Sequence, residues 1–199
     1  MQAKQRDVTR DKLLQAAFGE IHRNGFQAAS IAKVLADTGL TKGALYHHFR
    51  SKRELGLAVI DEMIGPRLDE AVFRPVRDSE HPLQALLGVL DEKIRASDPE
   101  IIKWGCPLNN LMQEMSPLDD GFKDRLTGIL KTWRRTLTDG LLQAQRQGEV
   151  GVQVDCKAAA LYIVASWEGC IGVAKSLQST KAYQLCLEQL RAYVSGLGR

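Results

Sequence analysis

Apolar residues return every three or four positions along almost the whole chain, and no other feature limits its fold so severely. Leu13, Leu14, Ala17, Phe18 and Ile21 form one stripe, Leu86, Leu87, Leu90 and Ile94 a second, and Leu126, Ile129, Leu130, Trp133, Leu137 and Leu141 a third. Such spacing places the apolar side chains on one face of a helix, where only other helices or a sheet can bury them. The alternation that a strand needs is confined to VGVQV at 150–154. The pattern predicts an all-α protein of about nine helices.

Start and stop signals refine this at the N-terminal end. Thr9 can cap a first helix and Gly25 can close it; Ser30 can cap a second that runs to Thr38 before Gly39; Thr41 can cap a third. Three short helices within about 50 residues, the last two joined by a tight Gly39-Leu40 turn, fit a helix-turn-helix unit. Ser51 can cap a long fourth helix, which Pro66, Pro75 and Pro82 bound or kink. Further helices are predicted near 82–97, 106–115, 119–147, 155–179 and 181–197. The predicted division is a helix-turn-helix domain at 1–51 and a helical effector-binding and dimerisation domain at 52–199.

Charge divides the chain at nearly the same place. Residues 1–55 hold 10 Lys+Arg against 5 Asp+Glu, hence +5, and the remainder holds 17 against 19, hence −2. A basic head on a near-neutral body predicts that the head meets a polyanion. The hydrophobic content of 44% can bury a core without metal or disulfide. Cys106, Cys156, Cys170 and Cys186 form no C-x-x-C pair and have no His-x-x-x-His nearby, so reduced thiols and no metal site are expected. The first residues, MQAKQRDVTRDK, lack an apolar signal core, and no apolar run approaches the roughly 20 residues needed to span a bilayer. A cytoplasmic protein with no membrane partner is expected.

The stretch TKGALYHHFRSKREL, Thr41 to Leu55, carries the chemistry of the head. At roughly 100° per residue, Ala44, Leu45, His48 and Phe49 fall on one arc of the third helix and Lys42, Gly43, Tyr46 and His47 on the other. The second arc suits a DNA major groove. Lys42 can donate to guanine O6 and N7, Gly43 lets the backbone approach a base edge, and Tyr46 offers ring and hydroxyl. Phosphates would be held by the helix starts at Ser30 and Thr41, by His47 and by Lys52, with Lys4, Arg6 and Arg10 as a basic arm.

At Gly25 to Leu55, GFQAASIAKVLADTGLTKGALYHHFRSKREL closely resembles the N-terminal signature of the TetR family of bacterial transcription repressors, most specifically in its GxLYxHFxSKxxL core. The resemblance implies a homodimer bound to double-stranded operator DNA through one recognition helix per half-site, and released by a small ligand in the body. It implies base contacts from residues matching Lys42, Gly43 and Tyr46, and phosphate contacts from His47, His48 and Lys52. Ala32 stands where some relatives carry a base-reading arginine.

The body is read from residues. Ala158, Ala165, Gly169 and Gly172 in CKAAALYIVASWEGCIGVAKS permit close helix approach, which makes residues of about 155–197 the expected homodimer face, as in relatives of the family. Trp104, Cys106, Met112, Met115, Phe122, Trp133 and Trp167 supply aromatic and sulfur surface for an effector. The absence of any buried charge cluster points to an apolar or weakly polar one. No cofactor is implied, and no nucleophile, base and acid recur at motif spacing, so an enzyme is not expected. A helical carrier of hydrophobes is the alternative that leaves the basic head unused. Finally, Cys106 precedes Pro107, which suits a helix start, and the positive end of a helix favours thiolate. This element resembles that of the repressor of N-ethylmaleimide reductase, an electrophile sensor of the same family; Lys175 is the lysine that would correspond. A thiol-based redox sensor acting through Cys106 and Lys175 is therefore the second alternative.

Overall fold

The first helix begins where an aspartate can receive its free amides. In the computed structural model, which describes residues 7–198, Asp7 Oδ1 accepts from the backbone N–H groups of Thr9 and Arg10. Asp7, not Thr9, is therefore the cap, because its carboxylate takes two of the unpaired amides at the helix start. Helix α1 (Val8–Ala28) continues past Gly25, whose φ of 79° breaks the regular backbone, so that residues 26–28 form only a last turn. Helices α2 (Ile31–Thr38) and α3 (Lys42–His48) start at Ser30 and Thr41, whose hydroxyls accept from Lys33 and Ala44 N–H. Gly39, at φ 67°, supplies the left-handed turn between them.

Helix α4 covers residues 52–77 and is capped by Ser51. Pro66 and Pro75 lie inside it, each preceded by a widened π-type stretch, at Ile60–Ile64 and Asp69–Phe73. A proline donates no N–H and its ring crowds the carbonyl four residues back, so a wider turn lets the helix pass without ending. The remaining elements are α5 (Pro82–Ala96), α6 (Pro99–Trp104), α7 (Pro107–Met115), α8 (Asp120–Arg146), α9 (Cys156–Leu177) and α10 (Thr180–Gly196). The all-α expectation holds, and the six-residue α6 is the element the sequence reading passes over. No strand occurs among the described residues. At 150–154 the chain turns instead, and the Gln145 side-chain amide donates to the carbonyls of Gly151 (2.8 Å) and Val154 (3.1 Å).

Packing groups the chain into two compact units, and the division differs from a cut at residue 51. Among the described residues, one comprises 7–66 together with 110–126; the other comprises 67–109 and 127–198. In the first, α1 packs on α2, α3 and the start of α4 around Leu13, Leu14, Ala17, Leu45, Phe49 and Leu55. In the second, α10 packs on α5 and α9, and α9 packs on α6. Cys170 of α9 and Cys186 of α10 are joined, with Cα atoms 5.4 Å apart. The expectation of four reduced thiols is corrected here: antiparallel packing brings together two cysteines 16 residues apart, which no local spacing rule reveals. Cys106 and Cys156 remain free and buried.

Candidate functional site

On α3 the two arcs expected from the sequence separate cleanly. Leu45 and Phe49 are buried and Ala44 and His48 half-buried, whereas Lys42, Gly43, Tyr46 and His47 are exposed. The Lys42 ammonium lies 6.0 Å from the centre of the Tyr46 ring, so both side chains share one outward face. A Cβ added at Gly43 would meet only Thr41 Oγ1, at 3.8 Å, which leaves the backbone open to approach. His47 and His48 stack edge to face at 5.0 Å. His48 leans inward, with Nδ1 3.6 Å from Asp7.

The basic groups around this face divide into free and engaged. Lys4 and Arg6 lie outside the described residues. Arg10 pairs bidentately with Glu62 and covers the Phe49 ring, so it braces the unit and does not extend as an arm. Lys52 Nζ donates to Gln27 O at 2.8 Å and sits 5.0 Å from the centre of the Phe26 ring.

These contacts belong to a clamp on the connection between α1 and α2. Glu114 of α7 accepts from the backbone N–H of Phe26 and of Gln27, each at 2.8 Å. Glu20, buried on α1, accepts from Ser30 N–H at 3.0 Å. The Phe26 ring meets Phe122 at 4.5 Å, and Gly56 fits under both, since a Cβ there would lie 2.5 Å from Phe26. Arg53 closes the cluster on Asp119, whose acidity this pairing raises, to a pKa of about 2. Two carboxylates, a lysine and two rings thus fix the residues that lead into the turn-forming pair α2 and α3. Glu20 occupies the apolar stripe of α1, a signal that was available in the sequence. Glu114, 88 residues from Phe26, had none.

The residues named as effector surface are distributed over both units. Met112, Met115 and Phe122 belong to the first, where Phe122 is fully buried on Phe26. Trp104, Cys106, Trp133 and Trp167 belong to the second. There Trp133 meets Trp167 edge to face at 5.6 Å and Phe73 at 5.9 Å. Trp104 is half-buried with Lys103 over its ring at 4.7 Å.

Cys106 does stand at the start of α7, yet it is not activated. The N–H groups of Leu108 and Asn109 favour thiolate as a helix start should. Complete burial and the nearby Glu168 carboxylate outweigh them and push the thiol well above its ordinary range. This corrects the expectation of a reactive thiolate, and with it the sensor alternative built on Cys106 and Lys175. Lys175 itself is half-buried in the last turn of α9.

Glu168 is the feature that the sequence reading misses. It lies on the buried face of α9, 7% exposed, and neither carboxylate oxygen has a hydrogen-bond partner. The Cys106 thiol is close enough for the two groups to alter each other's proton affinity, without meeting hydrogen-bond geometry. Burial pushes Glu168 up to about 7. The body thus holds a single buried carboxyl among the described residues, which is not a buried charge cluster. His, Asp, Glu and Cys gather nowhere, among the described residues, in a group that would suit a metal ion.

Comparison with known proteins agrees with this architecture. Residues 13–59 match the family described as bacterial regulatory proteins, tetR family, and residues 82–190 match the tetracyclin repressor-like C-terminal domain. The chain is similar to the transcriptional regulator AcuR of Cereibacter sphaeroides, at 29% identity over 84% of this chain and 77% of that one. It is similar also to the transcriptional repressor DhaR of a Mycobacterium species, at 25% identity over 83% of this chain and 82% of that one. The crystal structure of a regulatory protein TetR from Rhodobacter sphaeroides superposes with a TM-score of 0.82 at 26% identity, covering 96% of this chain and 98% of that one.

Proposed function

This chain belongs to the tetR family of bacterial regulatory proteins, and from that premise we propose that it is a homodimeric repressor, bound to a palindromic operator through α3 and released by a small effector held in its second unit. The observation that carries the DNA reading is the outward face of α3. Lys42, Gly43, Tyr46 and His47 are exposed together on a helix capped by Thr41, within the segment 1–55 that carries 10 Lys+Arg against 5 Asp+Glu. Lys42, Gly43 and Tyr46 read bases, while Ser30, Thr41, His47, His48 and Lys52 position the phosphates.

The dimer reading rests on α9. This helix is apolar nearly all round, and burial inside one chain accounts for only part of it. Ala158, Leu161, Tyr162, Ala165, Gly169, Gly172 and Val173 are exposed along one side, with Leu185 on α10. A helix apolar on every side needs a second surface to cover it. A second copy with the same stripe supplies one, and small residues let the helices approach closely. The two recognition helices would then enter successive major grooves on the order of 35 Å apart.

Mobility shifts on a selected operator test the DNA reading. Lys42→Ala and Tyr46→Ala should each weaken specific binding by roughly 1–3 kcal/mol. Gly43→Ala should hold or raise the melting temperature, because the added methyl meets only Thr41 Oγ1 at an ordinary contact distance and alanine favours the helix, yet reduce operator affinity by bringing that methyl against a base. Parental affinity in all three variants would show that α3 is not the reading helix. For release, an effector that fills the second unit should lower operator affinity by about 1–3 kcal/mol of coupling, transmitted along α4, which runs as one helical stretch from Lys52 to Arg77. Titrating operator complexes with such a ligand checks it.

A further inference from the structure

An ionisable carboxyl with no partner for either oxygen is an expensive thing to keep inside a folded unit, and Glu168 is one. Its surroundings say what would complete it. The side chains that interact with it, Cys106 ahead of α7 and Tyr183 on α10, carry no positive charge in any protonation state. Beyond them, Tyr183 also feels Asp98 and Glu92, so every ionisable neighbour that acts on its phenol is acidic. No positively charged group is among those that act on Glu168, while Asp98 and Glu92 lie exposed, Glu92 paired with Lys93. The preceding residue on α9, Trp167, belongs to the aromatic cluster with Trp133 and Phe73, and the indole N–H of Trp133 is likewise buried without an acceptor.

We propose that Glu168 is the recognition group for a protonated organic amine, with the ammonium donating to both carboxylate oxygens and the hydrocarbon part lying among the apolar side chains of α8 and α9. The inference rests on the reading that the second unit holds an effector, and it sets the effector's class. An ammonium group offers three donors and a positive charge, which matches the two unpaired acceptors of a buried carboxylate; a hydroxyl offers one donor and no charge. An anionic ligand would meet Glu168 with like charge in a poorly solvated site.

The test pairs primary ammonium ions, from butyl to phenylpropyl, with the alcohols of the same carbon skeleton. Each is titrated into the full chain near pH 8, where amine and Glu168 are both charged. Binding is read by quenching of tryptophan fluorescence and by the shift in melting temperature. The expected result is at least one pair in which the amine binds on the order of ten- to a hundredfold more tightly than its alcohol. Glu168→Gln, which keeps the shape and removes the charge, should abolish that preference, and Glu168→Asp should retain part of it. Equal binding of amines and alcohols throughout overturns the proposal, and so does a preference that survives in Glu168→Gln. The wild-type comparison needs no variant to fold. Operator binding is measured separately. A Glu168-dependent amine preference in a protein that selects no DNA sequence leaves this site standing and removes the repressor reading. Operator binding without any amine preference does the reverse.

Discussion

Glu168→Gln should make the protein more stable than its parent near pH 8 and bring the two close together near pH 5. The cause is the buried carboxyl, whose pKa rises from an ordinary value of about 4.5 to about 7, through burial first. Where the folded-state pKa is the higher, the folded chain binds the proton more strongly than the unfolded chain. Stability is then present in full below the unfolded value and is lost as pH climbs through the folded one. Between pH 5 and pH 8 the parent should lose roughly 2–3 kcal/mol on this account, and the glutamine variant should lose none of it. Cys106 and Tyr183, the ionisable groups that interact with Glu168, are both shifted upward, so neither charges within that window to mask the effect. Urea unfolding of both proteins at the two pH values measures it. A stability difference that does not change with pH would mean that Glu168 is neutral, or solvated, throughout. A saturating amine should cancel part of the parent's loss at pH 8, which links this experiment to the one on ligand class.

Phe122→Ala should cost about 3–5 kcal/mol, the range for removing a large ring from a packed core. The ring is fully buried against Phe26 and over Gly56, so its loss leaves a cavity beneath the connection that Glu114 and Lys52 clamp. The damage should be specific in kind. Amides of residues 26–30 should lose hydrogen-exchange protection before those of α9 and α10, and operator affinity should fall along with overall stability. A change of less than about 1 kcal/mol, the cost expected of a residue at the edge of an open pocket, would return Phe122 to the effector surface where its sequence placed it. An aromatic ring that lies in the body by sequence number suggests pocket lining. Packing assigns residues 110–126 to the head's unit instead.

Much of the head was legible from its sequence because the forces that shape it act over a few residues. Ser30, Thr41 and Ser51 cap the helices that follow them, Gly39 supplies the left-handed turn, and the 3.6-residue period alone sorts Leu45 and Phe49 from Lys42 and Tyr46. The first cap shows the limit of such rules. Asp7 and Thr9 are both competent, and only the placement of the backbone N–H groups chooses between them. In the body the period again marks the helices, including the small-residue stripe of α9, but not the chemistry. Glu168 reads as an ordinary glutamate in an apolar helix, and Cys106 reads as a cysteine at a positive helix end. What decides both is desolvation, which depends on side chains that arrive from other helices. The Cys170–Cys186 link and the Glu114 clamp have the same origin, in pairs separated by 16 and 88 residues. The sequence by itself determined the helices, their caps and the outward face of α3, because hydrogen bonds and periodicity are local. The tertiary structure alone decided which charges are buried and which residues share a core, because burial belongs to what packs around a residue and not to its neighbours in the chain.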